Sequence, residues 1–110
     1  ACAEADLPLL AGAVTASEVM ALMEAGYTVG KFFPAEAAGG ALALKSIGAP
    51  LPQMAFCPTG GVSLQNAPTY LSLPNVVCVG GSWVAPGDKV AAGAWDEVEA
   101  LARDAAQLGR

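Results

Sequence analysis

The chain repeats itself. Four times an apolar run is followed by a helix-forming stretch. The runs begin at Leu7, Val29, Gln53 and Asn75, spaced 22, 24 and 22 residues apart. They read Leu7–Val14, Val29–Phe33, Gln53–Cys57 and Asn75–Val79. None alternates apolar with polar residues, so each predicts a strand covered on both faces. Thr15-Ala-Ser-Glu18 has the spacing of a capping box. It opens a helix carrying Val19, Met20, Leu22 and Met23 that stops near Gly26. A second helix is expected from about Gly40 to Ile47. A short third is expected around Asn66–Leu73, with Pro68 in its first turn. The last is expected over Trp95–Leu108. Asp96, Glu97 and Glu99 near its start, and Arg103 and Arg110 toward its end, suit the helix dipole. Val98 and Leu101 form its inward stripe. Val84–Ala94, with Pro86 and Gly87, reads as a longer loop. No composition break divides the chain, so residues 1–110 read as a single segment.

Strand–helix units in series imply a parallel sheet. Two architectures accommodate four of them. One is an open doubly wound sheet. The other is half of a (β/α)8 TIM barrel, whose eight units typically take about 250 residues. The even repeat favours the barrel. So does the start, where Ala1–Asp6 reads as the tail of a helix feeding the first strand. A half-barrel leaves both sheet edges unpaired and its inward face without packing partners. Such a chain is expected to self-associate or to recruit its missing half.

Composition removes other classes. At 55% apolar residues the chain is too hydrophobic for disorder. No uncharged apolar run approaches the roughly 18 to 20 residues of a membrane helix. No basic segment precedes an apolar stretch as in a signal peptide. The net charge of −5 argues against nucleic acid or an anionic membrane as partner. With no His, the usual zinc sites and Ser-His triads drop out. Cys2, Cys57 and Cys78 match no disulfide or zinc spacing. Cys57 and Cys78 lie in apolar runs and read as buried core thiols, which implies a reducing, cytoplasmic setting.

Lys31 is the sharpest chemical signal. It interrupts an apolar strand and shares a face with Val29 and Phe33, opposite Gly30 and Phe32. If Phe32 packs under the helices, Lys31 faces the inside of a barrel. Desolvation there lowers a lysine's pKa and frees the amine to form a Schiff base with a carbonyl. The alternative is a strand-end lysine reaching solvent. Pro58-Thr-Gly-Gly61 and Gly80-Gly-Ser82 form the second signal. Each ends a strand, and glycine lets backbone amides approach an anion. In many barrels the loops after strands seven and eight bind phosphate. Ordinary turns are the competing explanation. Glu36 reads as a solvated or helix-capping carboxylate, or as a group near Lys31. Phe33 reads as core, though it shares the face of Lys31. Thr15 reads as a helix cap.

These blocks resemble a family. Lys31-Phe-Phe-Pro-Ala-Glu36, Gly39-Gly40, Phe56-Cys-Pro-Thr-Gly-Gly61 and Gly80-Gly-Ser-Trp83 follow the order and spacing of bacterial 2-keto-3-deoxy-6-phosphogluconate/4-hydroxy-2-oxoglutarate aldolases. The resemblance covers the whole chain and corresponds to strands five to eight of a (β/α)8 barrel. It implies a class I aldolase of the Entner–Doudoroff pathway, usually a homotrimer, with no cofactor and no metal. The substrate would be a phosphorylated keto acid, cleaved to pyruvate and glyceraldehyde 3-phosphate. For 4-hydroxy-2-oxoglutarate the products would be pyruvate and glyoxylate. The resemblance makes Lys31 the Schiff-base lysine. It makes Thr59, Gly60, Gly61, Gly81 and Ser82 counterparts of carboxylate- or phosphate-contacting positions, and Phe33 a pocket wall. Thr15 matches the threonine after strand five. Ala11 departs from the family, which commonly has proline there. The family's acid/base glutamate and a substrate-binding arginine belong to the first half of its barrel, and nothing in this chain matches them. The competing expectation is therefore a catalytically incompetent fragment, or a non-catalytic phosphate-binding half-barrel.

Overall fold

The computed structural model describes residues 1–109. Three parallel strands, β1 (Gly12–Ala13), β2 (Val29–Phe32) and β3 (Ala55–Pro58), form a sheet in that order. Helix α1 (Ala16–Glu24) links β1 to β2, and α2 (Gly40–Gly48) links β2 to β3. Helix α3 (Ala67–Leu71) follows β3. A single 3-10 turn (Ser82–Val84) precedes α4 (Gly87–Ala91) and α5 (Trp95–Ala105). Parallel pairing requires crossover helices, and the repeat read from the sequence supplies them.

The core lies between one face of this sheet and the helices. Phe32 and Phe56 from the sheet meet Val19 of α1, Leu44 of α2 and Tyr70 of α3, all fully buried. Gly30 lets α1 and the segment before β3 close over β2. A Cβ there would stand 2.9 Å from the Met54 Cε and 3.3 Å from the Leu22 Cδ1. The other face of β2 carries Lys31, only half-buried. The alternation expected for Val29–Phe33 is therefore present, but the open side of the sheet leaves the lysine less enclosed than expected.

Several boundaries differ from the sequence reading. The first strand keeps only Gly12–Ala13 of its expected eight residues. Leu7, Leu9 and Leu10 are exposed, because β1 is an edge with no strand beyond it. Residues 1–6 make hydrogen-bonded turns, with the Ala5 amide donating to the Ala1 carbonyl at 3.0 Å, rather than a helix. Asn75–Val79 forms no ladder. It touches β3 through one isolated bridge, Phe56 to Val76, and a second bridge, Thr59 to Gly80, joins the residues just beyond both. Between the two bridges, three steps from Phe56 to Thr59 match four from Val76 to Gly80, so one extra residue bulges out and interrupts the pairing. That position at the margin also corrects the reading of the thiols. Cys57 is buried, whereas Cys78 is exposed.

The expected loop at Val84–Ala94 contains α4. Pro86 caps that helix instead of breaking a structure, and its carbonyl accepts from the Val90 amide at 3.0 Å. Helix α5 ends at Ala105, short of Leu108, with Val98 and Leu101 half-buried as its inward stripe. The expected dipole contribution of Arg110 lies outside the described residues.

Candidate active site

Parallel strands bring all their carboxyl ends to one edge of the sheet. Lys31 is the penultimate residue of β2, in register with Gly12 of β1 and Cys57 of β3. Its Nζ stands 5.0 Å from the centroid of the Phe33 ring. A cation over an aromatic face is attracted by the ring quadrupole, so Phe33 guides the lysine side chain along the edge. Phe33 itself is half exposed, at 51%, and does not join the core.

The turn after β2 and the loop after β3 interlock. The Ala35 amide donates to the Thr59 carbonyl at 2.8 Å, and the Glu36 amide to the Gly60 carbonyl at 3.0 Å. Gly60 lies against the Phe33 ring, where a Cβ would meet Cδ2 at 3.1 Å. Gly61 has φ +76° and lies against the stem of Glu36, where a Cβ would meet Cβ and Cγ at 2.7 Å. Asn66 holds the loop from the other side. Its Oδ1 accepts from the Ser63 amide at 2.7 Å, and its Nδ2 donates to the Gly61 carbonyl at 3.0 Å. The parallel bridge between Thr59 and Gly80 engages the Gly60 amide, whereas among the described residues the amides of Gly61 and Gly81 donate to no protein acceptor.

Thr59 joins the two glycine loops. It bridges to Gly80, and a Cβ on Gly80 would stand 2.7 Å from the Thr59 Oγ1. Gly81 continues this close approach beneath the Trp83 ring. Ser82 follows at the exposed start of the 3-10 turn. Lys31, Phe33, Thr59, Gly60, Gly61, Gly81 and Ser82 thus occupy one edge. Thr15 occupies the same edge after β1. Its hydroxyl accepts from the Glu18 amide at 3.2 Å, completing the capping box. Amides of Val14 and Thr15 donate to the Glu18 carboxylate and hold its pKa below the ordinary value.

Two groups escaped the sequence reading. Glu36 is not simply solvated, since its Oε1 accepts a hydrogen bond from the buried Tyr70 hydroxyl. Burial pushes the Tyr70 pKa up, and the hydrogen bond and charge of Glu36 add to this. Nothing in the spacing of Glu36 and Tyr70 announces the pair, because the fold alone joins α3 to the turn after β2. Asn66 was recoverable from Ser63-Leu-Gln-Asn66, a side chain able to cap a turn behind it. Cys78 lies beside Cys57. Desolvation, then the hydrogen bond and charge of Cys57, push its thiol up to about 11. Among the described residues no cluster of three or more His, Cys, Asp or Glu could hold a metal ion. Among them, no helix is long and apolar enough to cross a membrane. A cavity of about 490 Å³ lined by Lys45, Gly48, Met54 and Leu73 lies at the other end of the strands, away from Lys31.

Fold and site together define a parallel βα protein with a strand-borne lysine beside two glycine-rich loops. Ligand sites of βα barrels occupy this edge. Residues 1–101 match the aldolase family described as KDPG and KHG aldolase, and the chain belongs to that family. The 2-dehydro-3-deoxy-phosphogluconate aldolase of Pseudoalteromonas atlantica is 56% identical over 99 residues, covering 90% of this chain and 46% of that protein. The KHG/KDPG aldolase of Escherichia coli is 48% identical, covering 97% of this chain and 50% of that protein. The chain therefore spans about half the length of the curated relatives it matches. Among solved structures, the 2-keto-3-deoxy-6-phospho-gluconate aldolase of Zymomonas mobilis superposes with a TM-score of 0.88 at 42% identity. That match covers 99% of this chain and 52% of the other. The KDPG aldolase of Legionella pneumophila, holding pyruvate as a covalent carbinolamine intermediate, superposes with a TM-score of 0.87 at 44% identity. It covers 90% of this chain and 48% of the other.

Proposed function

We propose that this chain carries the Schiff-base half of a class I aldolase site that cleaves 2-keto-3-deoxy-6-phosphogluconate to pyruvate and glyceraldehyde 3-phosphate. 4-Hydroxy-2-oxoglutarate, giving pyruvate and glyoxylate, is the second substrate in this proposal. The observation that carries the reading is Lys31 at the carboxyl edge of β2, over Phe33 and next to the interlocked Gly60–Gly61 loop. The amine of Lys31 attacks the C2 carbonyl, and loss of water gives an iminium. The C3–C4 bond then breaks, with its electron pair moving to the iminium nitrogen as an enamine. The C4 hydroxyl loses its proton to a base and leaves as the aldehyde. Protonation at C3 and hydrolysis release pyruvate and regenerate the amine. Free amides of Gly61 and Gly81, with the Gly60 backbone beside them and the hydroxyls of Thr59 and Ser82, would hold the substrate's anionic ends. Thr15 would line the same edge.

Borohydride reduction in the presence of pyruvate tests this. The expected result is an irreversible adduct on Lys31, lost in Lys31→Ala. An adduct surviving that substitution, or none in the wild-type chain, refutes the Schiff-base assignment.

A second reading concerns assembly. We propose that the four βα units are half of a (β/α)8 barrel, completed by the missing half or by a second copy. Its support is the apolar surface exposed at the sheet's edges and beside Lys31. Leu7, Leu9, Leu10, Phe33 and Val77 are between 46% and 61% exposed, and apolar surface of this kind favours a covering partner. The proton-moving carboxylate would then come from that partner, and the isolated chain is expected to turn over weakly or not at all. A homotrimer and a cytoplasmic location belong to this same proposal. Sedimentation of the purified chain tests it: a strictly monomeric chain at micromolar concentration refutes self-association.

A further inference from the structure

The loop that would bind substrate is held by a contact that no reacting atom touches. Gly61 adopts φ +76° and rests on the Glu36 stem, whose Cβ and Cγ would lie 2.7 Å from any added Cβ. The same Glu36 donates its amide to the Gly60 carbonyl at 3.0 Å. Its carboxylate accepts from the Tyr70 hydroxyl, and Tyr70 is 1% exposed within the core. Gly40 leaves room for this bond, since a Cβ there would stand 3.3 Å from the Glu36 Oε1 and 3.5 Å from the Tyr70 hydroxyl. Glu36 is thus fixed at its backbone, its stem and its carboxylate, and each point bears on the loop that follows β3.

We propose that Tyr70, acting through Glu36, is a positioning residue that sets the Gly60–Gly61 loop, and with it the Gly61 amide, for an anionic group of the substrate. This rests on the aldolase reading above. A hydrogen bond to a charged acceptor is among the stronger kinds. Without it, the Glu36 side chain is free to rotate away and the loop loses its support. Tyr70→Phe removes only the hydroxyl. Glu36→Gln keeps both the stem and an acceptor oxygen, whereas Glu36→Ala removes both.

The test is titration of the 110-residue chain with inorganic phosphate, followed by the NMR shifts of the Gly60 and Gly61 amides. Pyruvate trapping on Lys31 and thermal unfolding are measured in parallel. Tyr70→Phe and Glu36→Ala are expected to weaken phosphate binding about tenfold, the scale of one such hydrogen bond. Glu36→Gln is expected to bind within about twofold of wild type. Pyruvate trapping is expected to stay unchanged in all three, which separates loop placement from general damage to the fold. Equal phosphate affinity in wild type and Tyr70→Phe overturns the inference. So does a wild-type chain that binds no phosphate. Absent pyruvate trapping with Tyr70-dependent phosphate binding instead overturns the aldolase reading and supports the positioning role.

Discussion

Placing an alanine at Gly61 separates two physical effects in one position. An L-residue in the left-handed region is disfavoured by roughly 1–2 kcal/mol. Gly61 has φ +76°, and its new methyl would also stand 2.7 Å from the Glu36 Cβ and Cγ. Overpacking of that kind typically costs about 1–3 kcal/mol. Gly61→Ala is therefore expected to destabilise by about 2–5 kcal/mol. Gly26 supplies the comparison, because at φ +88° it has nothing within 4 Å of a new Cβ. Gly26→Ala carries the backbone strain alone, roughly 1–2 kcal/mol. Gly87 starts α4 with neither positive φ nor a neighbour within 4 Å, and Gly87→Ala is expected to stabilise by about 0.4–1 kcal/mol. Urea unfolding followed by circular dichroism at one fixed protein concentration gives all three values. Adding Glu36→Ala to Gly61→Ala should recover the steric part, and the double-mutant cycle reads it as a coupling. If Gly61→Ala is no worse than Gly26→Ala, or if the cycle shows no coupling, the Glu36 stem is not the fixed wall described above.

Other expectations follow from the core, the caps and the thiols. Phe32→Ala empties a fully buried site and should cost about 3–5 kcal/mol, measured by the same unfolding experiment. Thr15→Ala removes the capping box of α1 and should lower stability by about 1 kcal/mol. Glu18 has a folded pKa below its unfolded value, so its stabilising effect is full above the unfolded pKa. It fades as pH falls through the folded one, and the wild-type and Glu18→Gln unfolding midpoints should converge in acid. Cys78, with its thiol near 11, should alkylate at pH 8 on the order of a hundredfold more slowly than a peptide thiol of pKa about 8.5. Cys57→Ala should narrow that gap, and equal rates at pH 8 would contradict the thiol–thiol contact.

The sequence made the βα order legible because each strand's apolar run and the cap of α1 are local signals. Thr15 and Glu18 announced α1, and Pro68 fell where a helix start tolerates it. Lys31 was conspicuous because a charge in an apolar strand needs a reason. What could not be read depends on neighbours. Leu7–Leu10 has the composition of a strand but lacks a pairing partner on one side. Cys78 looked buried because its run is apolar, yet burial is set by the pairing of Asn75–Val79, which composition does not encode. Glu36 and Tyr70 lie 34 residues apart, and only the crossover through α2 and β3 brings them together.

The extra residue between Val76 and Gly80 also changes which way the side chains point. A strand in unbroken register would send Val77 and Cys78 to opposite faces. Here both are exposed, Val77 at 60%. The extra residue breaks the register between the two bridges, in the stretch where these two adjacent exposed side chains lie. Part of the apolar surface on this margin is thus set by a residue count and not by residue type. Shortening the segment by one residue is expected to bring the two bridges into one register.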